Sequence, residues 1–474
     1  MPTETMPDFK SLPHSDLVLI CEAFWQELKL LRKRVEQLEQ ENQAFKANGA
    51  KPKKTSQNSS SPPSKNQKAN LKVSQEPTIT KKRNFSHQQG GRKLDPNPDY
   101  EIELRPQVCG YCGRILATQN EKIEAVYDKI ELPTIRTITT RVKRIRCECS
   151  HCQKVSQAVI PKGLENNGLF GDSIQSFITH ARFSQAIGLH RLSTFCEEIL
   201  GIKISQGGIV GILKNVATRL EPRIREIQEV IRSSELIKSD ETSCRVGRKT
   251  FWEWVFVSPK ACLHILDGTR SKSVPKRVFT QESLLKQRPK FWVSDLYAGQ
   301  GFDLAEHWQL CLAHQIRDCQ YAIDCGDTIF SSAIQELFRN AIALHQRRSE
   351  LSNTTWYSYR LRVGTQLRSI LLLQPTNPEG RNLLRRYLKV QAALLTFLEY
   401  PDVPPTNNES EQRIRWSVIF RKVTNCSRSL WAAELFMAYR SVVNTGAKHG
   451  WSAFESLERA LRPRAFFSMT LVSS

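Results

Sequence analysis

The chain has 474 residues, more than a single hydrophobic core usually spans, so two to four units joined by linkers are expected. Lys and Arg number 69 against 47 Asp and Glu, a formal charge of +22, which selects a densely anionic partner, nucleic acid before others, without selecting a reaction. The acidic, polar stretch from Met1 to Asp16 does not read as a secretory signal, and no segment approaches the ~18 apolar residues of a membrane span. A cytoplasmic protein is therefore expected, and the thirteen cysteines read as reduced thiols, clustered ones as metal ligands rather than disulfides.

Residues 1–46 read as a coiled-coil helix. Leu17, Phe24, Leu31, Leu38 and Phe45 recur every seven residues, with Cys21, Leu28, Val35 and Asn42 as the complementary series. In a parallel dimer Glu27 would face Arg32, Arg34 would face Glu39 and Glu41 would face Lys46, all opposite in sign. A homodimer follows; one amphipathic helix docked on the body is the alternative. Residues 47–98 read as a disordered basic linker, with eleven basic residues and one acid, Glu76, between Lys51 and Lys93.

Residues 99–165 carry Cys109-Gly-Tyr-Cys112 and Cys149-Ser-His-Cys152, two Cys-x-x-Cys knuckles suited to a structural zinc ion held by four thiolates in a small β zinc ribbon. Cys147 is a rival to Cys149, and buried non-ligand cysteines are the alternative reading. The residues between the knuckles read as strands, and Arg141, Lys143 and Arg144 are candidate DNA contacts. Residues 166–234 read as helical. Leu192–Leu200, a Gly201 turn and Ser205 capping a second helix form a possible DNA-binding helix-turn-helix, although most such turns only pack.

From residue 235 the period becomes strand-like, with segments ending near Asp240, at Val257 and at Leu266, then an apolar strand closing on Asp295 and a Gly-rich turn. Three strands, a helix and a strand is the order of a ribonuclease-H-like core, an α/β fold. Phosphodiester cleavage needs an activated nucleophile and charge neutralisation, which two magnesium (or manganese) ions supply, and such ions need rigid oxygen ligands. Asp240 and Asp295 fit that need. Further on, Pro404-Pro405 precedes a helix that Thr406 or Asn407 can cap, with Glu409 three after Thr406 as a capping box requires, leaving Glu411 for metal; with Asn408 as cap, Glu411 becomes the capping partner instead. Both frames stay open on spacing alone. Arg415, one turn beyond Glu411, is placed to meet a phosphate.

The run Pro404-Pro-Thr-Asn-Asn-Glu-Ser-Glu411-Gln-Arg-Ile-Arg415, followed by Arg421-Lys422, resembles the signature of the insertion-sequence-66 family of bacterial DDE transposases. The Asn-Ser-Ser-Ser-Pro-Pro-Ser stretch at 58 to 64, the two knuckles, Ser239-Asp240-Glu241-Thr242, Ser294-Asp295 and Cys311-x-x-His314 occur in that family's order. The resemblance implies Asp240, Asp295 and Glu411 as the triad. It also implies an all-helical insertion over 319–403 between the core parts 235–318 and 404–474, and double-stranded DNA, element ends and target, as partner. Arg421 and Lys422 join Arg415 as DNA-facing residues, and the protein is expected at the bacterial nucleoid. Gln412 and Thr406 depart from the family's usual Arg and Asp. Cys311 and His314 recur after the second Asp in several cut-and-paste transposases, a resemblance that implies they brace the active site; a packed Cys and a core His are the alternative, and neither reads as a ligand, while Asp267, Asp303 and Glu306 read as turn and surface residues. The rival function is a zinc-ribbon DNA-binding regulator with a dead nuclease fold, against which the intact triad argues.

Overall fold

The structure, a computed structural model, describes residues 25–29, 31–32, 34–36, 52, 54–55, 57–59, 93–116, 122–161, 163–164, 168–280, 288–462 and 466–467. The chain divides into two units: Asn70–Leu169 with Gly188–Val210, and Met1–Ala69 with Phe170–Ile187 and Gly211–Ser474. Most of the coiled-coil heptads and of the basic linker lie outside the described residues. Those described between 25 and 36 are helical, with Leu28, Leu31 and Val35 exposed. Within the stretch read as linker, Asn58 is buried and its amide donates to Asp324 Oδ2 at 2.9 Å, while Lys54 lies 4.9 Å from the Tyr321 ring.

In the smaller unit β1 (Arg146–Glu148) pairs antiparallel with β2 (Val155–Gln157) around the second knuckle, and a single bridge joins Val108 to Ile115 at the first. Strands expected across the rest of the gap do not form: residues 122–145 carry none. Ile123, Val126 and Ile138 stay exposed there, so no apolar face holds further strands in register. Helix α1 (Asp172–Phe183) belongs to the larger unit. In the smaller unit α2 (Leu189–Leu200) ends on Gly201 in the left-handed conformation (φ 65°), and Ser205 Oγ accepts the Gly208 amide at 3.1 Å to start α3 (Gln206–Arg232).

The larger unit is organised by one sheet. β3 (Leu236–Val246), β4 (Lys249–Val257) and β5 (Cys262–Asp267) form an antiparallel meander. The β3–β4 turn is two residues long, Gly247 taking φ 59° as a tight hairpin demands. Helix α4 (Ser273–Thr280) then leads back to β6 (Phe291–Ser294), parallel to β3, and β7 (His307–Leu310) adds in parallel, giving the order β5-β4-β3-β6-β7. The helices that follow are α5 (Leu312–Asp324), α6 (Phe330–Gln346), α7 (Asn353–Ile370), α8 (Pro378–Lys389), α9 (Thr396–Glu399), α10 (Asn408–Thr424), α11 (Leu430–Lys448) and α12 (Ala453–Leu461).

Register decides which residues share a face. Asp240 pairs with Val255 and Val255 with His264, so all three project to one side, with Lys238 two residues before Asp240. On that side Ile414 and Val418 of α10 pack on Val255, Val257 and Cys262. The opposite side buries Trp254, Phe256 and Trp292, with Phe279 of α4 edge-on to Trp292 at 5.2 Å between ring centres. Helices α5 to α9 share a second core with β6 and β7 through Val293, Leu310, Phe338, Tyr387 and Phe397. Among the described residues no helix is long and apolar enough to cross a membrane.

A buried polar network ties the two C-terminal helices to the sheet. Glu253 Oε1 accepts from Ser417 of α10 at 2.7 Å and lies 2.8 Å from His264 Nδ1, while His264 Nε2 meets Asn444 of α11 at 2.8 Å. Removing one member leaves the others buried without a partner. Glu253→Ala is therefore expected to cost about 3 kcal/mol or more in urea unfolding, and Glu253→Gln, which keeps an acceptor oxygen, markedly less.

Candidate active site

Asp240 lies in the middle of β3, and Asp295 follows the last residue of β6, the neighbouring parallel strand. The rigid core under each strand fixes where its carboxylate starts. Asp295 Oδ1 accepts the Tyr297 amide at 2.9 Å, closing the turn that leads into the glycines. A Cβ at Gly299 would lie 2.7 Å from the Arg270 carbonyl, and Gly301 takes φ 77° with Pro275 where its Cβ would be, so this turn needs glycine at both places.

Glu411 arrives on α10. Of the caps offered by spacing Asn407 takes the position, but it makes no side-chain cap bond, and no capping box forms. Asn407 instead spends its amide groups on neighbouring elements, its Nδ2 donating to the Ser239 carbonyl of β3 at 2.6 Å and its backbone N–H to Cys311 Sγ at 3.1 Å. Leu312 N–H donates to the Pro405 carbonyl at 3.0 Å. These contacts seat the first turn of α10 on β3 and on the start of α5. Glu409 completes the seating, held by Lys238 at 2.6 Å and Lys448 at 2.5 Å; burial alone would raise its carboxyl, but the two lysines bring it down to about 2.

Glu411, two residues on, has the opposite environment. Desolvation raises its pKa, Arg317 opposes the rise and Asp295 adds to it. Asp240 is pushed well above the usual carboxylate range by desolvation, then by the charges of Glu241, Asp295 and Glu411. Desolvation likewise raises Asp295. The three sequence-predicted carboxylates thus face one another closely enough to interact, without reaching the tighter mutual spacing described next. One oxygen, Glu411 Oε1, is buried and accepts no hydrogen bond. Such a set of repelling oxygens, one of them orphaned, fits hard divalent cations.

Cys311 Sγ, His314 Nδ1 and a Glu411 oxygen do lie within 4.8 Å of one another. His314 Nδ1 is 3.4 Å from Cys311 Sγ and 3.6 Å from Glu411 Oε1. Burial, and then Arg317, lowers His314 to about 4, while burial raises the Cys311 thiol to about 11.

Several residues escaped the sequence reading. Glu241 projects to the other side of β3 from Asp240, where Arg270 and Gln300 bind it; burial, with Asp295 next, raises it to about 7. Arg270 in turn stacks 3.8 Å from the Tyr297 ring centre, bracing the Asp295 turn. Arg317 Nη2 stands 4.0 Å from Glu411 Oε1, one helical turn past His314, a spacing that was available as a signal. Arg415 and Lys422 are exposed, whereas Arg421 donates to the Ser243 carbonyl and to Thr242 Oγ1 and so also ties α10 to β3. Asp267 pairs with Arg277 and Asp303 with Lys272, the turn and surface roles expected of them.

In the smaller unit each knuckle is formed. The Cys109 carbonyl accepts the Gly113 amide at 2.9 Å and the Cys149 carbonyl the Gln153 amide at 2.8 Å. Backbone amides, first that of Tyr111 for Cys109 and that of Cys152 for Cys149, lower both thiols, as a thiolate ligand requires. The two pairs are not gathered into one cluster. Arg141, Lys143 and Arg144 are exposed.

Residues 167–435, more than half of the chain, match the family model described as Transposase IS66 family. No curated protein matches the chain.

Carboxylates whose pKa is raised in the folded state bind protons that the unfolded chain has already lost, so ionising them costs stability as pH rises above about 4. Asp240→Asn is expected to raise the melting temperature of the metal-free protein at pH 7, by on the order of 2–4 °C for each kcal/mol relieved, with the difference vanishing near pH 4. Calorimetry across that pH range checks it.

Proposed function

The chain belongs to the IS66 family of transposases, and from that premise we propose that it cuts and joins DNA by a DDE mechanism with Asp240, Asp295 and Glu411 as the triad. The observation that carries this reading is the mutual repulsion of three carboxylates brought in from β3, β6 and α10, with Glu411 Oε1 buried and unbonded. The sheet order, an antiparallel meander extended by two parallel strands, supports a ribonuclease-H-like core, and the helices from α5 to α9 support a helical insertion over 319–403.

When bound, two magnesium or manganese ions would supply an activated water or 3′-hydroxyl and neutralise the charge that develops at phosphorus. The chain's own residues do the positioning. Asp240 and Asp295 are fixed by strands, Glu411 by the seating of Asn407 and Glu409, and Glu241, Arg270 and Gln300 hold the Asp295 turn from the other side of the sheet. Exposed Arg415 and Lys422, with Arg421 beside them, form the phosphate-facing edge of α10.

DNA is the partner that membership of this family implies. The knuckles Cys109/Cys112 and Cys149/Cys152 would hold a structural zinc ion, and Arg141, Lys143 and Arg144 with the α2–α3 turn would contact the element's ends. Exposed Leu28, Leu31 and Val35 suit a homodimer that pairs two ends, in the cytoplasm at the nucleoid.

Asp240→Asn, Asp295→Asn and Glu411→Gln should each lower strand transfer on an end-containing substrate in magnesium by about a thousandfold or more, with the fold intact by circular dichroism. Retained transfer in any of them refutes the assignment. Arg415→Ala and Lys422→Ala should each reduce the salt slope of DNA binding by about 1.

A further inference from the structure

Cys311 and His314 stand three residues apart at the start of α5, so their side chains share one helical face, and Glu411 of α10 meets them there. The Sγ–Nδ1 and Nδ1–Oε1 separations of 3.4 and 3.6 Å, with all three atoms inside 4.8 Å, are what one small tetrahedral ion requires, given Zn–S of ~2.3 Å and Zn–N of ~2.0–2.1 Å. The donors are a sulfur, an imidazole nitrogen and a carboxylate oxygen. Magnesium and manganese select oxygen sets, whereas zinc takes this mixture and leaves a fourth position for water.

We propose that Cys311, His314 and Glu411 form a zinc site, and that filling it withdraws Glu411 from the magnesium-binding triad, so that zinc switches the transposase off. The proposal rests on the triad reading of Glu411.

Two further observations support it. Glu411 Oε1 is buried with no hydrogen-bond partner, so a cation there satisfies an oxygen the fold leaves unsatisfied. The Asn407 N–H donates to Cys311 Sγ at 3.1 Å, and Cys311 occupies the N-terminal cap of α5, so donors already face the sulfur from which a bound cation would displace the proton to solvent. A thiolate, a carboxylate, a neutral imidazole and a divalent cation sum to no net charge. Arg317, 4.0 Å from Glu411, therefore does not oppose occupancy.

The test uses the full-length protein stripped of metal, loaded with zinc chloride, desalted and analysed for zinc. The wild type should retain one equivalent more than Cys311→Ser and than His314→Gln, whatever the knuckles bind. Zinc-edge X-ray absorption of the wild type, independent of how the variants fold, should show nitrogen and oxygen neighbours and an average sulfur number below the four of a knuckle site alone, whereas four sulfurs with no nitrogen or oxygen would overturn the site. At fixed magnesium, zinc should inhibit wild-type strand transfer as that equivalent fills, with reversal by chelator, and His314→Gln should need at least ~10-fold more zinc. Equal zinc content in wild type and both variants overturns the site, and a filled site without inhibition overturns the switch. Retention of transfer by Asp240→Asn would instead refute the triad, leaving the zinc count untouched.

Discussion

Carboxylates gathered away from bulk water repel one another, and the architecture around Asp240 is organised by that cost. Two of the three acids sit on strands whose cores are filled by Trp254, Phe256, Trp292 and Val293, so neither can swing away to relieve the charge. The third rides on α10, and that helix is held down by ion pairs, side-chain amides and the Glu253 network rather than by apolar burial alone. The three acids are thereby held in place by bonds that need no metal ion.

Two acids on one helical turn illustrate how position alone divides labour. Glu409 falls over Lys238 and Lys448, stays ionised through the whole physiological range and acts as an anchor. Glu411 falls beside His314 and Arg317, neither of which hydrogen-bonds it, and it keeps an unbonded oxygen. The same residue type two positions apart is in one case bonded into the scaffold and in the other left with an open oxygen, and the register of α10 on β3 decides which.

Much of this was legible in the sequence. Apolar alternation located β3, β4, β5 and β6, and Asp295 does follow the end of an apolar strand; β3, read as ending near Asp240, instead runs on to Val246 because β4 pairs with it along its whole length, so Asp240 lies mid-strand. Helical stop and start signals placed α10 to within a residue. What spacing did not reveal is contact between distant segments. Nothing local to Thr406 or Asn408 says that Asn407 will donate to Ser239, or that Lys448 will reach Glu409, so the capping frames inferred for α10 gave way to tertiary partners. Nor did a basic, alternating stretch between the knuckles reveal that residues 122–145 would lack strands, because a strand needs a neighbour and that segment offers no shared apolar face.

Both margins of the sheet are closed by side chains. Along β5, Ser441 and Thr445 of α11 accept the outward amides of His264 and Cys262, at 2.8 and 3.0 Å, and along β7 Thr396 donates to the Trp308 carbonyl at 2.6 Å. Hydroxyls standing in for a missing strand at these three groups shorten the template on which another backbone could add. Among the described residues, the margins of the five-stranded sheet therefore offer a second copy little to extend, and contact between copies on these sides would run through the covering helices.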